Sequence, residues 1–138
     1  MPDKAFIDTN VFVYLYSGTE LNKRQMASDA LNTYDCFIST QTLNEFSSVS
    51  LRKMRASLED TEEYLDEMED SCTVLTVTPT TIRYALSLHE KYSFNYFDCL
   101  MLASALQAGC NLMLSEDMAD GMVIEDTLTI KNIFAQEL

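Results

Sequence analysis

The sequence predicts an α/β fold: a single domain with a mostly parallel central sheet of four to five strands and helices on both faces. Three observations lead there. Short apolar runs without polar alternation, such as AFI, CFI and NLML, alternate along the chain with longer segments of helical periodicity. Three glycines and two prolines are too few turn formers for an all-β chain. The 138 residues, 47% of them apolar, can bury one sizeable core but not two ordinary ones, so residues 1–138 are read as one domain.

The elements follow in order. Ala5 to Ile7 is a strand ending at the polar tip Asp8-Thr9-Asn10, after which Val11, Phe12, Tyr14, Leu15 and Tyr16 begin a helix. Between Leu21 and Tyr34, Met26, Ala27, Ala30 and Leu31 mark one face of a second helix. Cys36 to Ile38 is the second strand. Ser39 or Thr40 then caps a helix with the stripe Leu43, Phe46, Ser47 and Ser50, and its later part carries Arg52, Lys53 and Arg55, which suit the negative end of the helix dipole. Leu58, Leu65, Met68 and Cys72 describe an amphipathic helix with a charged outer face. Val74 to Val77 is a third strand, and Pro79 behind Thr78 opens a helix with the stripe Ile82, Ala85, Leu86 and His89, where His89 is expected as a partly buried packing residue. Tyr96 to Ala108 is apolar around nearly its whole girth, hence deep in the fold, with Gly109 as its C′ residue. Asn111 to Leu114 is the fourth strand and Ser115-Glu116-Asp117 its tip. Val123 to Ile130 holds one or two more strands before a short C-terminal helix.

Composition removes several chemistries. No GxGxxG or GxxxxGK[ST] phosphate cradle exists. His89 is the only histidine, so HExxH zinc sites are excluded and no Ser/His/Asp triad is possible without it. The four cysteines, without CxxC pairing and set among apolar neighbours, read as free thiols in a reducing compartment. No apolar run reaches membrane-span length and no signal-like segment opens the chain, so a soluble cytoplasmic protein is expected. The net charge of −13 argues against a static polyanion binder, but eight of the 22 acids lie between Glu59 and Asp70, and without them 14 acids face 9 bases. The acidity is concentrated in one segment.

Four carboxylates resist a purely structural reading. Open α/β sheets gather reactive groups beyond the C-terminal ends of their strands, and Asp8 and Asp117 each follow an apolar strand. Asp98 lies in NYFDCLMLASAL, where an unpaired carboxylate would cost several kcal/mol or take up a proton. Glu45, in TLNEFSS, falls within the first two turns after a strand end. Two carboxylates about 4 Å apart repel by roughly 4 kcal/mol at an effective dielectric near 20. With no histidine cluster or paired cysteines, the relieving cation must be hard and oxygen-seeking, Mg²⁺ or Mn²⁺, which favours phosphodiester hydrolysis.

These residues make the chain resemble a PIN-domain ribonuclease, and within that superfamily the VapC toxins of prokaryotic toxin–antitoxin modules. FIDTNVFVYL, STQTLNEF and NYFDCLMLASALQAGCNLMLSEDMADG occur in the family's order and span nearly the whole length. The resemblance implies that Asp8, Glu45, Asp98 and Asp117 form the acidic metal-binding and catalytic quartet. Asn10 then matches the polar residue of the first motif and Ser115 the hydroxyl before the last acid, and Glu116 and Asp120 are further candidate ligands. It implies metal-dependent endonucleolytic cleavage of RNA to a 5′-phosphate and a 3′-hydroxyl, a homodimer, and a cognate antitoxin that places a basic side chain in the acidic pocket. Asn132-Ile133-Phe134 departs from the Asn-Pro-Phe of many relatives. Lys23, Arg24, Arg52, Lys53 and Arg55 are the candidates for a basic rim that draws RNA toward an acidic domain. The rival reading is a non-catalytic PIN-like module binding a basic partner peptide. A DxDxT phosphatase fails because Asn10 replaces the second aspartate, and a receiver-type phosphoacceptor fails because VLTV ends in threonine and proline.

Overall fold

Alternation along the strands decides the layering. In β1 (Lys4–Ile7), Phe6 faces one apolar layer while Ala5 and Ile7 face another. The same split recurs in β2 (Asp35–Ser39), where Phe37 opposes Cys36 and Ile38, and in β4 (Leu112–Leu114), where Met113 opposes Leu112 and Leu114. A strand apolar on both sides must be covered on both sides. One cover consists of α1 (Thr9–Ser17), α2 (Leu21–Thr33), α3 (Thr40–Arg52) and α4 (Leu58–Ser71), the other of α5 (Pro79–Tyr92) and α6 (Tyr96–Gln107). The computed structural model describes residues 1–135.

With β3 (Thr73–Leu75), β5 (Val123–Ile124) and β6 (Leu128–Lys131), the sheet has six strands in the order β3-β2-β1-β4-β6-β5. All neighbours are parallel except β5 and β6. The chain therefore lays β2 and β3 on one side of β1, then crosses to place β4 on the other. That reversal leaves a crevice at the C-terminal ends of β1 and β4.

Local chemistry explains the helix limits. Ser39 caps α3 by accepting the Gln41 N–H, and Thr42 reaches back to the Ser39 N–H. Thr78 and Thr81 cap α5 in the same reciprocal way with Pro79 behind them. Gly109, at φ +73, follows α6 in the left-handed region that a C′ residue requires. Residues Cys99 to Ala105 of α6 are all buried, matching its apolar girth, and all four cysteines are free and buried.

Several sequence-based expectations are corrected. Among the described residues the sheet has six strands, one beyond the four to five read for it, because Val123–Ile130 supplies the second of its one or two expected strands, folding back on itself as β5 and β6. The third strand occupies Thr73–Leu75 rather than Val74–Val77. The buried face of α5 is Thr81, Ala85 and Leu88; Ile82 and Leu86 are exposed. The small Ala85 and the Thr81 hydroxyl, which donates to Gln107 of α6 at 2.9 Å, turn the helix by about one residue. His89 is exposed rather than packed, with Nδ1 bonded to the Phe94 carbonyl at 2.6 Å. Leu58 is 68% exposed, since Ser57 sets it at the first position of α4 and Thr61 takes the inward place, bonded to Ser50 at 2.8 Å. Ile133 and Phe134 form a turn. The remainder of the expected C-terminal helix, residues 136–138, lies outside the described residues.

Phe46, fully buried beneath α1 and α4, should cost about 3–5 kcal/mol when replaced by alanine. Leu58→Ala should stay within about 0.5 kcal/mol. Equilibrium urea unfolding distinguishes these faces of the fold; equal losses would contradict the burial assigned to them.

Candidate active site

Strand register builds the site from the centre outward. Ile7 of β1 pairs with Leu114 of β4, so Asp8 and Ser115, one residue on, stand side by side where both strands end. The Asp8 N–H donates to the Leu114 carbonyl at 3.0 Å. Asp8 is also the N-cap of α1: its Oδ1 accepts from the Thr9 N–H at 2.7 Å, and its Oδ2 accepts from the Ser115 hydroxyl at 2.8 Å. Ser115 Oγ in turn accepts from the Met118 N–H at 3.3 Å, so its direction is set. With only 7% of Asp8 exposed, these neutral donors are what hold its carboxylate.

Three more carboxylates arrive from three other elements. Glu45, half-buried in the second turn of α3, accepts from Gln41 Nε2 at 2.9 Å. Asp98, half-buried, lies in the first turn of α6, whose cap is Asn95. Asp117, exposed beyond β4, accepts from Asn10 Nδ2 at 2.6 Å.

Their charges act on one another. Burial pushes the Asp8 carboxyl up to about 6; the Ser115 and Thr9 hydrogen bonds oppose the shift, and the negative charges of Asp98 and Glu45 reinforce it. Burial likewise raises Asp98, with Glu45 and Asp117 adding to it. The Asp98 carboxylate stands in the positive field of a helix N-terminus, yet desolvation and like charge outweigh that field. Asp8, Glu45, Asp98 and Asp117 thus form one electrostatic neighbourhood in which each named charge is negative.

The two extra candidates are engaged elsewhere. Glu116 is paired with Lys23 at 2.7 Å and accepts from the Tyr14 hydroxyl at 2.5 Å. Burial alone would raise its carboxyl, but Lys23 and Tyr14 together hold it below the usual range. Asp120 accepts from the Asn132 N–H at 2.9 Å, tying the turn after β4 to the end of β6. Lys23, expected on a basic rim, is therefore tied to Glu116, whereas Lys53 and Arg55 line a depression of about 630 Å³ with Tyr14, Tyr16 and Tyr64. Gln41 was not singled out from sequence, although its position four residues before Glu45 on a helix carries the signal.

The donor set suits a hard divalent cation: carboxylate oxygens with two of their neighbours fixed by hydroxyl and amide groups, and no lysine or arginine among the charges that shift Asp8 and Asp98. Among the described residues no group of three or more acidic, cysteine or histidine side chains is already gathered as a coordination cage. The carboxylates share a charge field without sharing a coordination sphere.

The raised Asp8 value has a stability consequence. The folded chain holds that proton more tightly than the unfolded chain, so stability falls as pH rises from 3.8 to about 6, by about 3 kcal/mol in all. Asp8→Asn should therefore be more stable than wild type by about 1–3 kcal/mol near neutral pH, with the advantage vanishing below the ordinary carboxylate range. Urea unfolding across pH, without added metal, measures this; a less stable variant at neutral pH would show that the charge is not a burden there.

The PIN domain model matches residues 5–119, a span that includes all four carboxylates. No curated protein is similar enough in sequence to count as a relative. Among solved structures, a toxin–antitoxin complex from Klebsiella pneumoniae is similar, with a TM-score of 0.71 at 20% identity over 94% of this chain and 98% of that one. Mycobacterium tuberculosis VapC20, described as a Sarcin–Ricin loop cleaving toxin, follows with a TM-score of 0.66 at 17% identity over 82% of this chain and 89% of that one. VapBC2 from Rickettsia felis, bound to a promoter DNA fragment, gives 0.61 at 16% identity over 81% and 86%. At these identities the structures speak for the fold, and the sequence model, running from β1 through the tip after β4, shows that the chain belongs to the PIN domain family.

Proposed function

We propose that this chain is a metal-dependent endoribonuclease, the toxin of a toxin–antitoxin pair, and that Asp8, Glu45, Asp98 and Asp117 are its metal-binding and catalytic residues. The observation that carries the proposal is the placement of acids at the sheet's switch point, where Asp8 is buried and pushed up to about 6 with Asp98 and Glu45 reinforcing the shift, and Glu45 and Asp117 raise Asp98 in turn. Membership of the PIN family supports the reading, as does the likeness to a toxin described as cleaving the Sarcin–Ricin loop. The likeness to toxin–antitoxin complexes supports a cognate antitoxin as partner; a homodimer is proposed as the working assembly. The protein is proposed to act in the cytoplasm; no helix among the described residues is long and apolar enough to cross a membrane.

Mg²⁺ or Mn²⁺ is the proposed cofactor: Asp8 and Asp98 with Asp117 would hold it, Glu45 would be a further ligand or orient the attacking water, and the ion would supply charge neutralisation at the phosphate and a more acidic bound water. The chain's own residues do the positioning. Ser115 and the Thr9 amide hold Asp8, Asn10 holds Asp117, and Gln41 holds the Glu45 carboxylate. Glu116 and Asp120, each already bonded to other groups, support the tip after β4.

Asp98→Asn should reduce cleavage of RNA by about 100-fold or more with the circular dichroism spectrum unchanged, and Ser115→Ala by about 10- to 100-fold, as expected for loss of a group orienting a metal-bound carboxylate. EDTA should stop the wild-type reaction. Cleavage that survives EDTA or Asp98→Asn would overturn the assignment, and tight binding of a basic peptide with no cleavage of any RNA would favour the non-catalytic module.

Millimolar Mn²⁺ should also raise the melting temperature, because an ion that binds only the folded state stabilises it by about 2.7 kcal/mol at 100 times its dissociation constant. The increment should shrink below about pH 6, where Asp8 takes up its proton. Scanning calorimetry at two pH values reads both effects.

A further inference from the structure

Phe97 is out of place by the logic of its own helix. Along α6, Cys99 to Ala105 are buried, yet Phe97 is 54% exposed beside Asp98. Leaving a phenylalanine ring half in water forgoes part of the free energy its burial would supply. The Tyr96 ring stands edge-on to it, with centroids 5.5 Å apart and planes at 65°. It forms one wall of a depression of about 460 Å³ whose other walls are Gln41, Asn44, Glu45 and Ser48 of α3. An aromatic face thus meets two amides, a hydroxyl and a carboxylate beside the site acids.

The chemistry of those walls selects the occupant. Among the described residues no cation lines the depression, and Glu45 repels phosphate, so the backbone of a nucleic acid is disfavoured there. An unstacked base suits it: the aromatic face offers stacking, and amide and carboxylate groups accept from exocyclic amines. Gln41 already donates one N–H to Glu45, which leaves its carbonyl directed by that bond. Polar groups on α3 also argue against a protein surface packing on Phe97, since burying them unpaired is costly.

Resting on the nuclease reading above, we infer that Phe97, Gln41 and Asn44 form a subsite for an unpaired purine base of the nucleotide next to the scissile phosphate. Its nearness to Glu45 places that base beside the cut rather than remote from it. A purine is favoured because its larger π-face stacks more strongly on the ring. Phe97 is then a specificity-determining residue, and the enzyme prefers one base class at a fixed position flanking its cleavage site.

The test is cleavage of a randomised single-stranded RNA pool in Mn²⁺, with all new 5′ ends sequenced, for wild type, Phe97→Ala and Phe97→Tyr. Wild type should enrich purines at one fixed flanking position. Phe97→Ala should reduce that enrichment about 10-fold while still cutting, and Phe97→Tyr, which keeps the π-face, should restore it. Absence of base preference in wild type, or an unchanged preference in Phe97→Ala, overturns the subsite while leaving the nuclease assignment in place. If wild type cuts nothing, the nuclease reading fails and the subsite with it. Sedimentation of Phe97→Ala provides the other arm: a changed mass with an unchanged base preference assigns Phe97 to a protein interface and overturns the inference.

Discussion

A carboxylate buried at the point where a parallel sheet reverses its strand order is the constraint around which this molecule is arranged. Asp8 is placed there by the β1–β4 register and by its duty as the cap of α1. It is held there by Ser115 and the Thr9 amide. Those hydrogen bonds favour its charged form, but burial and the neighbouring acids win, so the charge is kept at a cost in stability. A cost of that kind, borne at one point in a cleft, marks a candidate functional group.

The surrounding architecture makes the arrangement possible. Three helices, α1, α3 and α6, begin close to the C-terminal edge of the sheet, so the residues of their first turns approach from different directions. Three of the four carboxylates have a named hydrogen-bonding side chain: Gln41 for Glu45, Asn10 for Asp117, Ser115 for Asp8. The two apolar layers supply the rigidity. Phe6, Phe37 and Met113 pack on one side of the sheet and Ala5, Ile7 and Ile38 on the other, so the strand ends that carry the site are fixed from both faces.

Much of this was legible in the order of residues. The strands β1, β2 and β4 are short runs apolar on both faces, a pattern that a parallel sheet requires and that few other structures allow. The α6 helix declares its depth because seven consecutive residues are buried and the chain there is apolar on every side. The resemblance of the motifs to PIN domains agrees with the family match over residues 5–119. What failed was rotation about helix axes. The stripe read on α5 included Ile82, Leu86 and His89, which face water, because the small Ala85 and the Thr81–Gln107 bond set the contact with α6. Leu58 misled in the same way at the start of α4, where Ser57 caps the helix and Thr61 takes the inward place.

Hydrophobic periodicity was enough, by itself, to determine the α/β class and the alternation of elements, because both are encoded within a few adjacent residues. Tertiary structure alone decided which polar group holds which acid, that Glu116 pairs with Lys23, and that Phe97 stands exposed beside Gln41 and Glu45. Those outcomes join residues as far apart as 107 positions, as Ser115 and Asp8 are, and depend on register and helix rotation. Such quantities arise only when whole elements pack, and no local stretch of sequence contains them.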